Sequence, residues 1–425
     1  MAELETQQEL KTETVGTSHA TLLLAVPAPL GSETLLSTIT RISQAAPLLS
    51  FPCPMLLAIP GEKAQEEPLA MEEGNPARLS LRYVSYAQPT TDPAVTPWLA
   101  NAAIQRSIFS LANKLGTRAC KVLGTDAAFN REFLTPEKLT LLMGPSVEGG
   151  FDLVMPLYAM QAFDDLLNKS ILYPLTRALY GHRVHNPLAN EFQVSSKLLQ
   201  RFPENFDKDS VRQQGRLLWL ASTAANQNLK ICQVQLGVRR PQSHDGIELS
   251  DALAQLAGPL FTDMEDNAAF WQRVRGSHDV PTFGNAVIAS EVPNAVDVHR
   301  MIDAFELGVR NLREIWSLVL PPVTLMELKK LSRLTPDTFH MPDALWAHII
   351  YDFALAHRLR NIHRTHLFGA LTPLYLGWVA SYAVEVNAVG MAMAEDRVEQ
   401  LARTFEVEKP YLLSRWRWPD RFHSS

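Results

Sequence analysis

Short apolar runs alternate with segments of helical periodicity over roughly the first 230 residues, and this alternation limits the fold more than any other feature. The run 20–26 is continuous and apolar, as is typical of a strand buried on both faces of a sheet, and residues 80–84 alternate between polar and apolar in the manner of a strand. Segments 35–49 and 98–115, which lie between such runs, carry apolar residues at helical spacing. The strand-like runs cover residues 20–26, 55–59, 80–84, 120–123, 151–156 and 231–236. This order predicts an α/β fold with an open, mostly parallel sheet flanked by helices.

After about residue 245 the pattern becomes helical. Apolar residues recur every three or four positions in segments 305–319 and 346–357, and Thr372-Pro373 is typical of the start of another helix. The polar residues at the N-terminus, rich in Glu, Thr and Gln, favour a disordered leader. The predicted organisation is a leader over 1–18, a sheet domain over 19–245 and a helical C-terminal region over 246–425.

Charge and cysteine content exclude several classes of protein. With 39 Lys and Arg against 45 Asp and Glu, the chain lacks the positive field that binding to nucleic acid or an anionic membrane requires. Three widely separated cysteines favour reduced thiols in the cytoplasm, and the acidic N-terminus does not resemble a signal peptide. Residues 374–393 are apolar, but Glu385 and Asn387 interrupt them, which favours a buried helix over a membrane span.

One strand end carries a side chain that could bind a ligand. The run 120–123 leads into Gly124-Thr125-Asp126, and ligands of open α/β sheets bind at the carboxyl ends of the strands. A carboxylate in that place suits a divalent cation. The alternative interpretation of Asp126 is a turn or a helix cap.

Several blocks resemble one enzyme family. Residues 151–158, followed by Tyr-Pro-Leu-Thr-Arg-Ala-Leu-Tyr-Gly at 173–181, resemble the acceptor side of retaining GT-A glycosyltransferases that make glucosylglycerate, glucosyl-3-phosphoglycerate and mannosylglycerate. The blocks at 231–237, 351–354 and 371–381 follow in the family's order. The resemblance is closest to glucosylglycerate synthases. It implies a GT-A-type sheet and transfer of a hexose from a nucleotide-sugar to a small hydroxy acid, with retention of configuration.

The resemblance also implies roles for particular side chains. Asp126 and His244 correspond to ligands of a divalent metal, Mn²⁺ or Mg²⁺. The resemblance further implies that the donor or the acceptor is bound by Arg177, Glu191, Arg239 and Arg240. The residues alone leave other interpretations open: His244 as a loop histidine, Arg177 as a structural ion-pair partner, and the two later arginines as surface charge. No residue is assigned as the catalytic one.

The departures from the family pattern concentrate at the expected active site. Gly124-Thr125-Asp126 replaces an Asp-x-Asp metal motif, and residues 97–103 replace a glycine-rich loop that carries a lysine. Residues 187–192 lack two glycines that allow close approach of the backbone. Each change removes a charge or a backbone feature that donor chemistry uses. Two hypotheses therefore remain: an active hexosyltransferase, and a catalytically degenerate relative that acts as a binding or partner protein, including as a homo-oligomer.

Overall fold

The computed structural model describes residues 22–28, 32–49, 54–61, 66–67, 82–87, 97–124, 135–202, 219–239, 248–289 and 296–418, and the statements below concern these residues. The predicted leader lies outside them.

The central element is a nine-stranded sheet in the order β3-β4-β2-β1-β5-β7-β6-β8-β9. Its strands are β1 Leu22–Ala25, β2 Met55–Gly61, β3 Glu66–Glu67, β4 Arg82–Ala87, β5 Ala119–Val122, β6 Leu153–Ala159, β7 Phe192–Ser195, β8 Ile231–Val238 and β9 Thr282–Phe283. All six predicted strands are present. The three that the pattern missed, β3, β7 and β9, have two to four residues each.

The sheet is mostly parallel, as predicted, with antiparallel pairing at two strands. β1 pairs in parallel with β2 on one side and β5 on the other, and β2 with β4. β7 runs antiparallel between β5 and β6, and β3 runs antiparallel to β4. β8 is parallel to β6 and to β9. The chain thus leaves β1 in one direction for β2 and later returns to the opposite side at β5, which makes the β1–β5 boundary a topological switch point.

Helices cover both faces of the sheet and form the C-terminal region. In chain order they are α1 Ser32–Ala45, α2 Pro97–Lys114, α3 Pro136–Val147, α4 Tyr173–Tyr180, α5 Ser196–Leu199, α6 Leu220–Asn226, α7 Leu249–Asp266, α8 Ala268–Trp271, α9 Val298–Asn311, α10 Arg313–Ser317, α11 Pro322–Leu331, α12 Asp343–Leu359, α13 Arg364–Val389, α14 Ala394–Val407 and α15 Lys409–Arg417. Thr135-Pro136-Glu137 has the residue pattern of a helix start, with Thr as the N-cap, Pro in the first turn and Glu near the positive end of the helix dipole. The structure confirms this start at α3, since the Thr135 side chain accepts a hydrogen bond from the backbone N–H of Lys138 at 3.3 Å.

Two features of the C-terminal region differ from the prediction. The region contributes a strand, β9, to the edge of the sheet. Thr372-Pro373 does not begin a helix, because Pro373 lies inside α13. Burial of Leu371 and Leu374 on either side of this proline stabilises the continuous helix. Gly308 of α9 packs directly on the proline, and a Cβ added there would lie 2.7 Å from the Cβ atom of Pro373.

Two large apolar clusters lie on opposite faces of the sheet. One joins β1 and β2 to α1 and α3 through residues such as Leu24, Ile42 and Met143. The other is continuous from the sheet into the C-terminal helices, so that Val122 and Trp416 belong to the same core. In the described part of the chain, α13 is the one helix long and apolar enough to cross a membrane, and 72% of its apolar window is buried inside the protein.

Candidate functional site

Ligands of open α/β sheets bind at the carboxyl edge of the sheet, beside the topological switch point. The ends of its strands are held together by backbone hydrogen bonds, from Val26 N–H to the Ala58 carbonyl and from Leu123 N–H to the Ala25 carbonyl, both 2.9 Å long. The hydroxyl of Tyr86 donates to the Val26 carbonyl at 2.7 Å. These bonds fix the backbone that leads out of β1 and β5.

A buried lysine lies beneath this edge. Lys121 stands in the middle of β5, opposite Leu24 in register, and its side chain therefore points to the face that α1 and α3 cover. The residue is fully buried, and its Nζ atom lies 3.9 Å from Glu191 Oε2. No hydrogen-bond acceptor meets this nitrogen among the residues that the structure describes. Burial lowers the pKa of Lys121 to about 8, against the opposing effect of Glu191.

The antiparallel direction of β7 explains why Glu191 comes so close. Phe192 pairs with Val122 and Gln193 with Lys121, so Glu191, just before β7, lies at the carboxyl edge of its neighbours. The lysine stem extends from the middle of β5 toward that edge. Gln193 donates from Nε2 to the Met143 carbonyl at 3.0 Å, while no donor in the described part of the chain meets its buried Oε1 atom.

Arg239 lies further along the same edge, directly after β8. Its backbone N–H donates to the Ala159 carbonyl at 3.1 Å, and its guanidinium carbon is 5.0 Å from the ring centroid of Tyr158. The register of β6 and β8 shifts here, and Gly237 adopts a φ of +102°. Such a bulge changes the direction of the strand end. The residues that follow, 240–247, lie outside the described residues.

Arg177 is part of a different cluster, on the buried helix α4. Its Nη1 atom donates to Glu399 Oε2 at 2.6 Å and to the Tyr173 hydroxyl at 3.0 Å. Its Nε atom donates to Glu406 and, at 3.1 Å, to Ser277. The arginine therefore joins α4 to α14, and these partners are not residues of the strand edge.

His185 extends this cluster toward the surface. Its ring stacks on Tyr173 with 4.8 Å between centroids, and its Nε2 atom lies 3.4 Å from Glu399 Oε1. Burial acts to raise the pKa of Glu399, but hydrogen bonds with His185, Tyr173 and Arg177 outweigh it and lower the pKa to about 2. Glu399 is therefore ionised at neutral pH and balances part of the charge of Arg177.

The structure separates the residues that the sequence nominated. Glu191 and Arg239 lie at the carboxyl edge, whereas Arg177 contacts α14. Asp126, Arg240 and His244 lie outside the described residues.

The described residues do not by themselves offer the metal site that the resemblance implies. No group of three or more His, Cys, Asp or Glu side chains in this part of the chain is arranged to hold a metal ion. Glu191, the carboxylate at the edge, lies close to the ammonium group of Lys121. The ligands that the resemblance implies, Asp126 and His244, lie outside the part of the chain that the structure describes.

Sequence reasoning missed three side chains of these clusters: Lys121, Glu399 and Glu406. His185, in the loop after the block at 173–181, was visible in the sequence but was not predicted to take part in chemistry. A charged residue inside the apolar run Cys120-Lys121-Val122-Leu123 was a usable signal, since lysine is almost never fully buried without a partner or a role. The two glutamates gave no such signal, because acidic residues on an amphipathic helix are common.

Neither models of known protein families nor curated proteins show a match to this chain.

Proposed function

We propose that this chain is a GT-A-type glycosyltransferase that binds a nucleotide-sugar at the carboxyl edge of its sheet, beside the β1–β5 switch point. The hexose would pass to a small hydroxy acid such as glycerate, with retention of configuration. The resemblance blocks at 151–158 and 231–237 form the neighbouring strands β6 and β8, which pair in parallel from Leu153 and Ile231 to Leu157 and Gln235, before the bulge. Contact between blocks that are 80 residues apart in sequence supports their common origin in one type of fold.

The observation that carries the proposal is the charge of Lys121. A buried ammonium without a hydrogen bond is costly, and strongly perturbed groups of this kind concentrate at functional sites. Its position beneath the edge suits the stabilisation of a diphosphate, on which negative charge increases as the sugar leaves. The lysine expected in the loop at 97–103 is absent from the sequence, and Lys121 is our candidate for a replacement of that charge.

The acceptor would bind further along the same edge. Arg239 has the planar, bidentate donor geometry that matches a carboxylate, and Arg240 follows it directly. Asp126 and His244 remain the expected ligands of Mn²⁺ or Mg²⁺, and we derive no step of the reaction through that ion. We expect the protein to act in the cytoplasm.

A thermal-shift screen tests the proposal. Full-length protein is heated with Mn²⁺ and each of the common UDP- and GDP-sugars at millimolar concentration. A ligand at a hundred times its Kd stabilises the folded state by about 2.7 kcal/mol, which raises the melting temperature measurably. We expect one sugar nucleotide to do so, Asp126→Asn to abolish the shift and Lys121→Met to reduce it.

Asp337→Asn is the matched control, because Asp337 is an exposed residue on a short 3₁₀ helix in the C-terminal region. It should leave the shift intact. Absence of a shift with every sugar nucleotide would refute the proposal, as would a shift that Asp126→Asn and Lys121→Met both leave unchanged.

A catalytically degenerate relative is the second candidate. The compensation of Lys121 and Arg177 by carboxylates of the chain itself favours it: Lys121 lies close to Glu191, and Arg177 binds Glu399 and Glu406. Such a protein would produce no glycoside from any sugar nucleotide and glycerate, and it would form a defined oligomer or a stable complex with another protein. Mass spectrometry of the reaction mixture, together with light scattering, separates this candidate from the active enzyme.

A further inference from the structure

A pair of histidines lies away from the strand edge, where two segments of the chain meet. His182 follows α4, and His278 lies between α8 and β9. The two form a parallel β-bridge: the His278 N–H donates to the Gly181 carbonyl at 3.0 Å, and the Arg183 N–H donates to the His278 carbonyl at 3.1 Å. These bonds fix the two backbones, so both side chains start from rigid positions.

Gly181 makes this close approach possible. Its φ is +72°, and a Cβ atom added there would lie 2.8 Å from Val274 Cγ1. The glycine also ends α4, with its N–H bonded to the Arg177 carbonyl at 2.9 Å. The turn that places His182 beside residues 274–278 therefore depends on it.

The two imidazole rings lie close together. Their centroids are 4.4 Å apart, with 62° between the planes. The Nδ1 atom of His182 lies 2.9 Å from the Tyr180 carbonyl, which fixes the proton on that nitrogen and leaves Nε2 with a lone pair. A hydrogen bond from one ring nitrogen to a backbone carbonyl is the arrangement that orients metal-bound histidines.

A cationic neighbour of the pair is itself bound to a carboxylate. Arg183, the closest basic residue along the chain, donates from Nη1 to Asp279 at 2.8 Å and from Nε to Ser277 at 3.1 Å. Its charge is therefore balanced beside the pair.

We propose that His182 and His278 bind one transition-metal ion of the Zn²⁺ or Ni²⁺ type, with water completing its coordination. Imidazole suits these ions, and each nitrogen would bind at about 2.1 Å. The ion would fasten the segment that leads to Glu191 onto the segment that leads to β9. This site is separate from Asp126 and His244 and does not depend on the proposed glycosyltransferase function.

Titration calorimetry with ZnCl₂ and with NiCl₂ on metal-free, untagged, full-length protein tests the proposal. We expect one ion per chain, and His182→Gln and His278→Gln should each weaken binding by about tenfold or more. The melting temperature of the wild type should rise with Zn²⁺, and this rise should be lost in both variants.

His366→Gln is the matched control. His363 and His366 form a second pair at the start of α13, but their ring centroids are 6.1 Å apart and no β-bridge joins their backbones. This variant should retain wild-type affinity. The proposal is overturned if the wild type binds neither ion at millimolar concentration, if either His182→Gln or His278→Gln keeps wild-type affinity, or if His366→Gln weakens binding equally. Should His182→Gln fail to fold, His278→Gln decides the question, because His278 is exposed.

Discussion

Two buried cations in this protein have very different surroundings. Arg177, between α4 and α14, donates to two carboxylates, a phenol and a hydroxyl. Lys121, beneath the carboxyl edge of the sheet, has one carboxylate at 3.9 Å and no hydrogen bond in the described part of the structure. Both side chains are fully buried.

The difference indicates different roles. A buried charge that is paired and hydrogen-bonded holds elements together, and loss of one partner leaves the others uncompensated. A buried charge with few partners destabilises the fold and is retained where it has another use. We therefore interpret Arg177 as a structural residue, as one of the two sequence interpretations held, and Lys121 as the candidate for ligand binding.

The largest effect is expected for replacement of Arg177, and it tests the structural role that we assign to this residue. Arg177→Met should lower the free energy of unfolding by about 3–5 kcal/mol, because Glu399 and Glu406 would lose their shared cation. Urea denaturation measures the change. Arg313→Met, at an exposed position on α10, should change it by less than about 0.5 kcal/mol. A loss below about 1 kcal/mol for Arg177→Met would contradict the assigned role.

The pH dependence of the stability of Lys121→Met, relative to the wild type, tests whether the buried lysine is perturbed. The pKa of Lys121 is about 8 in the folded protein and about 10.4 in an unfolded chain, so the unfolded state binds more protons between these values. The stability of the wild type should therefore rise relative to that of Lys121→Met by about 3 kcal/mol from pH 8 to pH 10.4.

Urea denaturation across this range gives the difference between the two proteins. Lys329→Met, at an exposed position on α11, should show no such trend relative to the wild type. A constant difference between wild type and Lys121→Met would mean that the lysine is not perturbed, and the contrast with Arg177 would disappear.

The smallest effect is expected for replacement of His185, on the exposed side of the cluster around Arg177. His185 stacks on Tyr173 and lies near Glu399, but about a third of its side chain is exposed. His185→Gln should cost about 1 kcal/mol at pH 7, measured in the same way. A loss as large as that of Arg177→Met would show that the histidine, and not the arginine, holds Glu399 in place.

Much of the fold could be predicted because burial leaves a local pattern. The apolar runs at 20–26 and 120–123 became β1 and β5, and Thr135-Pro136-Glu137 became the start of α3. β7 could not be predicted in this way, since Phe-Gln-Val-Ser is short and half polar. Its place is decided by pairing with β5 and β6. Pro373 misled the prediction for a related reason, because packing against Gly308 and the core outweighs the local preference to begin a helix there.

The candidate site was less predictable than the fold. Arg239 follows a strand that the pattern predicted and Glu191 precedes one that it missed, whereas the carboxylate partners of Arg177 come from residues 399 and 406, more than 200 positions away. Nothing in the local sequence indicates such a contact.

The sequence by itself determined six of the nine strands that the structure describes, the mostly parallel order of the sheet and the helical C-terminal region, because periodicity and burial leave a pattern among neighbouring residues. Only the tertiary structure decided which charges are satisfied. It brought the carboxylates of α14 to Arg177, placed Lys121 3.9 Å from Glu191 with no hydrogen bond in the described part of the chain, and set His182 beside His278. These outcomes depend on long-range packing, since the energy of a buried charge is fixed by the groups that surround it in space.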